Sequence, residues 1–157
     1  MSTKIKIGVA IINNNNILLI KEKIKKKKTP LWNIVTGTYG DNGDEDIFKA
    51  AQRECMEEVC VSVRLMGALG CYISKDKDEI RAQFNFLAKI TDGKPMIPNI
   101  TEQAERNESI SEVRWFAKNE ILKMKSNEFI SNRIHTLILN WISNDNYPIE
   151  IYKQIDM

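Results

Sequence analysis

The sequence predicts an α+β fold in which a mixed β-sheet carries helices packed on it. Short strand-like segments fill the N-terminal part of the 157-residue chain, and one amphipathic helix follows them. More strands and then terminal helices come after that helix. Elements in this order favour helices layered against a sheet. The chain has no internal repeat and no interdomain linker, so residues 1–157 are expected to form one domain.

The first strands are predicted from alternation and turn residues. Residues 4–12 alternate lysine with isoleucine and continue into an apolar run, which indicates a strand. The asparagines at 13–16 tolerate turn geometry, so residues 17–20 are expected to return as the second strand of a hairpin. Residues 21–28 carry six lysines and are expected in a solvated loop. Residues 31–35 are a short apolar strand.

One helix and two longer strands are predicted in the middle of the chain. Residues 36–44 hold three glycines and no core pattern, which indicates a loop. Asp46 is a suitable N-cap for a helix that runs to about Glu58. Residues 61–73 and 80–90 are predicted strands, and in the second of them apolar residues alternate with polar ones.

The last third of the chain is predicted to hold a turn at 92–95, a polar loop to about residue 107 and a short strand at 112–116. Helices are expected at 118–125 and at about 127–143, where apolar residues recur at helical spacing. The only histidine, His135, lies in the second of these helices, and a structural or surface role is expected for it.

Composition favours no class of macromolecular partner. The net charge is +2, so the electrostatic field of the whole molecule indicates no particular class of partner. The chain shows no signal-peptide pattern, and no apolar run approaches the ~20 residues of a membrane helix. The three cysteines lack metal-ligand spacing. We therefore expect reduced thiols, a cytoplasmic location and no membrane partner.

The most informative feature is a cluster of three glutamates on the predicted helix. Glu54, Glu57 and Glu58 stand three and four residues apart, so their side chains are neighbours beside the apolar stripe of the helix. Like charges at this spacing cost about 0.2–0.5 kcal/mol per pair, and anions near a helix C-terminus add to that cost. A solvated acidic helix end is one interpretation. A bound divalent cation is the other, because Mg²⁺ prefers carboxylate oxygens and substrate phosphates.

A wider pattern around these glutamates resembles the Nudix family signature, over about residues 37–61. The signature is a glycine, five residues, a glutamate, seven residues, and then Arg-Glu-apolar-x-Glu-Glu-x-Gly-apolar. The residues that match it in register are Glu45, Arg53, Glu54, Glu57, Glu58 and Val61, with Cys55 as an acceptable small apolar residue. The preceding segment LWNIVTG and the later segment ISEVRWF fit the family as well.

Two signature positions depart from the family. Tyr39 stands where a glycine is expected six residues before Glu45, which suggests a one-residue insertion with Gly37 supplying the tight bend. Cys60 stands where a glycine normally ends the helix. Because cysteine adopts the left-handed conformation only at a steric cost, either Cys60 is strained or the helix ends differently.

The resemblance implies an α/β/α sandwich that hydrolyses a nucleoside diphosphate linked to another group. The substrate would be a nucleoside triphosphate, a nucleotide sugar, ADP-ribose or a dinucleoside polyphosphate. It also implies Mg²⁺, with Mn²⁺ as a substitute, held by Glu54, Glu57 and Glu58. Arg53 would orient these glutamates through a salt bridge with Glu45.

Other site residues are less sharply indicated by the resemblance. The general base would come from the box or from a later loop, where Glu108 and Glu112 are the candidates. Backbone groups near Gly37 and Thr38 would complete the metal coordination or approach the phosphates. Trp32 would border the base site or belong to the core.

The expected partner is a small nucleotide. Nucleic acid is not expected, since no basic patch with interleaved aromatics is evident. A homodimer is left open. The alternative function is a nucleotide-binding or sensor module on the same fold that does not turn over its ligand.

Overall fold

A computed structural model describes residues 1–157 and shows a seven-stranded mixed sheet between helices. The strands are β1 Ser2–Asn13, β2 Asn16–Glu22, β3 Leu31–Asn33, β4 Val35–Thr38, β5 Ser62–Lys75, β6 Glu79–Asp92 and β7 Ile110–Ala117. The α-helices are α1 Ile47–Val59, α2 Ile100–Glu105, α3 Lys118–Leu122 and α4 Asn132–Ile142. Two 3₁₀ turns cover Ser126–Glu128 and Ile149–Ile151. None of the helices has both the length and the apolar character that crossing a bilayer requires.

The sheet is organised around β1. This strand runs parallel to β6 over ten residue pairs and antiparallel to β4 over four. Only its last two residues pair with β2, which itself lies between β3 and β7. The strand order is β3-β2-β1-β6-β5. In addition, β4 pairs with β1 and β7 pairs with β2.

Alternate residues of β1 contribute to two separate hydrophobic cores, one on each face of the sheet. Val9 and Ile11 belong to a cluster of 18 buried residues that α1 covers, and Ala10 belongs to a cluster of 14 that α4 covers. Successive side chains of a strand point to opposite faces, so one apolar strand can supply both layers. The predicted sandwich of a mixed sheet between helices is thus confirmed.

The structure differs from the predicted elements in three main places, besides shifts of a few residues at the ends of other elements. Residues 35–38 are a strand because they pair with β1, although 36–44 was expected to be a loop throughout. The polar stretch before residue 107 contains α2, which Asn99 caps by accepting a hydrogen bond from the Glu102 amide. The last helix begins at Asn132 instead of 127, because Ser131 is its N-cap. Capping side chains, which act locally, decided both helix starts.

Candidate active site

A polar cleft of about 430 Å³ lies where α1 meets β4, β1 and β2. No apolar side chain lines it. The lining residues are Lys6, Glu22, Thr36, Gly37, Thr38, Asp41, Asn42, Arg53, Glu54, Glu57, Glu58, Arg106 and Glu108. Three of them are the glutamates singled out from the sequence, so the structure gathers the predicted cluster into one cleft.

Helix α1 holds the glutamates at the margin of its buried face. Asp46 caps the helix, as predicted, by accepting a hydrogen bond from the Lys49 amide at 2.7 Å. The small residues Ala51 and Cys55 are fully buried against the sheet. Glu54 and Glu58 follow on the adjoining face, where these residues are also buried, at 7% and 3% exposure. The side chain of Glu57 is 30% exposed at the mouth of the cleft.

Cys60 ends the helix in the conformation that a glycine would take. Its φ of 62° and ψ of 33° are left-handed, and its N–H is shared between the carbonyls of Cys55 and Met56. Of the two outcomes expected for this departure, the strained residue is the one that occurs. The helix therefore ends in the left-handed conformation that a glycine at this position would supply.

Arg53 links the acidic residues of the cleft. Its Nε donates to Glu45 Oε2 at 2.8 Å, and its Nη1 donates to both Glu54 Oε1 and Glu57 Oε2 at 3.0 Å. The hydrogen bond to Glu45 is the largest of the effects that raise the pKa of the Arg53 guanidinium. Arg53 therefore stays charged and fixes two of the cluster carboxylates at once.

Strand β4 contacts two carboxylates of the cluster, those of Glu58 and Glu54. The amide of Thr36 donates to Glu58 Oε1 at 2.8 Å. Gly37 faces Glu54 so closely that a β-carbon at this position would overlap its carboxylate. Gly37 was expected to supply a tight bend, but it lies within the strand, paired with Ile7. Glycine is required at residue 37 because Glu54 approaches the backbone closely there, and not because the chain turns.

Four charged residues of the cleft were not found from the sequence, namely Lys6, Glu22, Asp41 and Arg106, and two of these come from β1 and β2. Glu22 lies at the end of β2, where Asn33 Nδ2 donates to its Oε1 at 2.7 Å. Lys6 projects from β1 and donates to Thr38 Oγ1 at 3.3 Å. Both sit in lysine-rich stretches whose pattern is that of a solvated surface. Only strand pairing brings them beside Glu54 and Glu58.

The segment after α2 closes the cleft with a second arginine–glutamate pair. Arg106 Nε donates to Glu108 Oε1 at 2.6 Å, and its Nη2 donates to the backbone carbonyl of Glu57 at 2.8 Å. The other oxygen of Glu108, Oε2, is buried without a hydrogen-bond partner. One acceptor of the cleft is thus held in place and left unsatisfied, which is costly unless a ligand or proton occupies it.

The remaining sequence candidates lie away from the cleft. Glu112 is on β7 opposite Lys21 and does not line it. Trp32 is buried edge-on against Phe116 in the α4 core, which is the core role that was one of its two expected roles. His135 stacks on Phe129 with ring centroids 4.5 Å apart, in agreement with the structural role expected for it.

Burial makes two carboxylates of the cleft, those of Glu54 and Glu58, unusually hard to ionise. Burial raises the pKa of Glu54 to about 7 against the opposing effect of Arg53, with Glu57 adding to the rise. Burial, reinforced by the charges of Glu22 and Glu108, raises the pKa of Glu58 well above its ordinary value. Perturbed carboxyl groups gathered in one cleft are typical of functional sites.

Tyr39, the other departure from the signature, contacts the C-terminal tail. Gln154 Nε2 donates to the Tyr39 hydroxyl at 2.6 Å. The other end of the same amide, Gln154 Oε1, accepts from the backbone amide of Ile47 at 2.8 Å. The tail residue therefore ties the loop that carries Tyr39 to the first turn of α1.

Comparisons with known proteins agree with this geometry. The family model described as NUDIX domain matches residues 3–137. A NUDIX hydrolase from Nitrosomonas europaea is similar in structure, with a TM-score of 0.78 at 20% identity, covering 98% of this chain and 97% of that one. A MutT NUDIX hydrolase from Burkholderia pseudomallei has a TM-score of 0.68 at 19% identity, covering 87% and 96%.

A third solved structure is described as an ADP compounds hydrolase. Its TM-score is 0.69 at 15% identity, and the likeness covers 90% of this chain and 74% of that one. No curated protein sequence matches the chain. At these identities the solved structures establish the fold, and the family model establishes the family.

Proposed function

The chain belongs to the NUDIX family of hydrolases, and from this premise we propose that it hydrolyses a nucleoside diphosphate linked to another group, with the help of a divalent cation. The bond broken is a phosphoric anhydride, and water attacks one of its phosphorus atoms. The candidate substrates are a nucleoside triphosphate, a nucleotide sugar, ADP-ribose and a dinucleoside polyphosphate.

The charge of the cleft is the observation that carries this proposal. Six carboxylates line it against three cations, Lys6, Arg53 and Arg106, which leaves a formal charge of −3. A pyrophosphate is itself a polyanion and would be repelled from such a cleft. Divalent cations remove the conflict, because carboxylate and phosphate oxygens are the ligands that Mg²⁺ prefers. Mn²⁺ is the expected substitute.

The residues present fit such a cation once one side chain turns. With the side chains as they stand, no three carboxylates surround a common point that would hold an ion. Arg53 Nη1 lies between Glu54 and Glu57 and takes the place of a positive charge there. Glu57 is the most exposed of the three helix glutamates and has room to leave Arg53. Glu54, Glu57 and Glu58 would then hold the metal, with backbone groups near Gly37 and Thr38 close to the phosphates.

Each side chain has a distinct task in this proposal. A bound cation neutralises phosphate charge, polarises the phosphorus and lowers the pKa of water. Arg53, fixed by Glu45, positions Glu54 and acts through it. Lys6 offers a cation on the β1 side of the cleft, where it would contact the substrate phosphates. Arg106 fixes Glu108 and the end of α1 together.

Glu108 is the general base that the geometry favours over Glu112. Its Oε2 is held in the cleft with no partner, ready to accept a proton from the attacking water. Burial raises the pKa of Glu108 above its ordinary value, although Arg106 opposes the rise. A base whose pKa is closer to neutrality accepts a proton more effectively at neutral pH.

The test is a panel of nucleoside diphosphate derivatives with Mg²⁺, with Mn²⁺ and with a chelator, scored for phosphate or nucleotide release. Turnover should require the cation. Glu57→Gln should lower turnover by about 100-fold or more, as expected when several kcal/mol of metal-derived stabilisation is lost. Glu112→Gln, the same change outside the cleft, is the matched control.

Three outcomes separate the proposal from its alternative. Unchanged turnover in Glu57→Gln would remove that residue from the metal site. Turnover that persists in the chelator would contradict the requirement for a cation. Tight nucleotide binding without turnover across the whole panel would favour the non-catalytic binding module.

A further inference from the structure

A second recess opens beside the carboxylate cleft and is unlike it in charge. It has a volume of about 260 Å³, and the residues that distinguish it are Asn33, Arg81, Gln83 and Arg133. We call it the arginine recess. Its walls come from β3, β6 and the first turn of α4. None of these four residues lines the carboxylate cleft.

The two spaces share one wall. Lys6, Glu22 and Thr36 line both the carboxylate cleft and the arginine recess. A molecule anchored by a phosphate beside Lys6 would therefore have its remaining part directed along this wall. The recess and the cleft therefore lie side by side, on either side of these three residues.

Strand register sets the separation of the two spaces. Lys6 pairs with Gln83 and Lys4 pairs with Arg81 in the parallel ladder of β1 and β6. Paired residues project to the same face of the sheet, so Lys6 and Gln83 share a face. Arg81 lies two residues before Gln83 on β6 and projects to that face as well. At about 3.3 Å per residue, this places Arg81 about 7 Å further along the sheet than Lys6.

Arg133 lacks the partner that a partly buried guanidinium normally has. Its one hydrogen bond runs from Nη1 to Ser74 Oγ at 3.2 Å, and it forms no ion pair. Its Nε is buried with no acceptor. Burial and the neighbouring charge of Arg81 both lower the pKa of Arg133. A guanidinium beside a second guanidinium, with donors to spare, is suited to bind an anion.

Two buried amides independently show that the wall of the recess is incomplete. Asn33 turns its Nδ2 to the Glu22 carboxylate, so its Oδ1 is the free atom, and that atom is buried without a donor. Gln83 Nε2 donates to Asn85 Oδ1, and Asn85 Nδ2 is itself fixed by two backbone carbonyls. The orientation of Gln83 is therefore determined, and its Oε1 is also left without a donor. Buried polar atoms without partners are rare unless a ligand or water supplies one.

The charged residues of the recess favour an anion. Lys6, Arg81 and Arg133 face the single carboxylate of Glu22, and that carboxylate is already engaged by Asn33. Arg81 also pairs with Glu79 at 2.8 Å, so Arg133 is the guanidinium that has no carboxylate of its own.

We infer that the arginine recess binds a phosphate group on the part of the nucleotide substrate that is not cleaved, with Arg133 as its main ligand. The inference rests on the proposed function and narrows its substrate class to nucleotides that carry an additional phosphate away from the anhydride. Hydroxyl groups beside that phosphate would supply the donors that Asn33 and Gln83 lack.

Affinities for matched nucleotides test this inference without turnover. The probes are ADP-ribose with a methylene group in place of the anhydride oxygen, and the same compound with a 2′-phosphate or a 3′-phosphate. Titration calorimetry with Mg²⁺ should show at least one phosphorylated form binding about tenfold or more tighter, the range expected for a charged hydrogen bond. Arg133→Gln should bring this ratio close to one, and Arg133→Lys should leave an intermediate ratio.

A control variant at another arginine and a competition experiment with inorganic phosphate test where the phosphate binds. Arg64 is exposed on β5 and lines neither space, so Arg64→Gln should leave the ratio unchanged. Inorganic phosphate should shift the Arg133 Nε–H resonance and should compete more strongly against the phosphorylated probe than against its parent. Equal competition against both would place the phosphate in the carboxylate cleft and contradict the inference.

Two further outcomes would contradict the inference that the recess binds a phosphate, and neither would contradict the proposed function. One is the absence of any preference for a phosphorylated probe in the unmodified protein. The other is a preference that survives in Arg133→Gln, even if that variant has lost stability through its Ser74 contact. Hydrolysis of the whole panel of nucleoside diphosphate derivatives, measured separately, reports on the proposed function alone.

Discussion

Gly37 packs directly against the carboxylate of Glu54, and a β-carbon on Gly37 would overlap Cδ and Oε1 of that residue. The overlap involves the same Oε1 atom that accepts a hydrogen bond from Arg53 Nη1 at 3.0 Å. Glu54 is thus confined between a strand and a guanidinium. Its position depends on the absence of a side chain at residue 37.

Gly37→Ala should therefore displace Glu54 and lower turnover by about tenfold or more, because small displacements of positioned groups are expensive in catalysis. The circular dichroism spectrum should remain that of a folded protein. Gly43→Ala is the matched control, since Gly43 has open space around it but a φ of 55°. That control should cost about 1–2 kcal/mol of stability from backbone strain. Equal turnover in Gly37→Ala and the unmodified protein would contradict the role of the contact.

Glu108→Gln should lower kcat by about 100-fold or more, in the range expected when a general base is removed. Glu112→Gln should leave kcat within about twofold, because that side chain does not line the cleft. The pH profile distinguishes a base from a structural residue. If Glu108 accepts the proton, the acidic limb of the kcat profile should disappear in Glu108→Gln, and a limb that persists would assign the base elsewhere.

Cys60→Gly should raise the free energy of unfolding by up to about 1 kcal/mol. The left-handed conformation at φ 62° is strained for cysteine and free of strain for glycine, although glycine also gains freedom in the unfolded chain. Urea unfolding measures the difference. Cys60→Ser keeps the β-carbon and should give no such gain, which separates relief of the backbone from loss of the thiol.

The metal-free protein should become less stable, relative to Glu54→Gln, as the pH rises from about 4.5 to about 7. The folded-state pKa of Glu54 is raised to about 7 from 4.5, mainly by burial. Between those values the folded state binds more protons than the unfolded state, so stability falls as pH rises. The loss should be about 1–3 kcal/mol, since each unit of pKa corresponds to about 1.4 kcal/mol.

Chemical denaturation at several pH values in a chelator measures this difference, and Mg²⁺ should reduce it by favouring the ionised carboxylate. Parallel curves for the two proteins across this range would show that Glu54 is not desolvated in solution. Glu58 has a raised pKa from burial as well, so the comparison with Glu54→Gln is needed to isolate one group.

Gln154→Ala should loosen the start of α1. The side chain of Gln154 is the acceptor for the Ile47 amide and donates to the Tyr39 hydroxyl. Hydrogen exchange at the Ile47 amide should accelerate by about fivefold, as expected when one hydrogen bond of about 1 kcal/mol is lost. Lys153→Ala, at the exposed neighbouring position, is the control. An unchanged exchange rate would show that the tail does not hold this loop.

Local spacing was sufficient to find the helix side of the site. The register of Glu45, Arg53, Glu54, Glu57 and Glu58 depends on positions within one helix and the loop before it, and such neighbours meet in any α-helix. The cap at Asp46 is equally local. These residues carried the family resemblance and the fold that it implies, and the family model and the structure confirm both.

Strand pairing decided the rest of the site, and no pattern in the sequence encodes it alone. Glu22 and Lys6 come to the cleft from lysine-rich stretches because β1 and β2 pass beneath α1. Glu108 lines the cleft and Glu112 does not, because β7 begins between them at Ile110, and Trp32 lies in the core because β3 pairs with β2. Arg81 meets Arg133 only through the parallel register of β1 with β6 and the docking of α4.

The physical reason for this division is the range of the interactions. Helical spacing and capping act over three or four residues, so the sequence alone placed the glutamates and Arg53 relative to one another. Sheet register and layer packing join residues that are tens of positions apart, through apolar contacts that many sequences satisfy equally well. The acidic cluster that is proposed to hold the metal could therefore be predicted from the sequence, while the shape and charge of the cleft around it were decided by the tertiary structure.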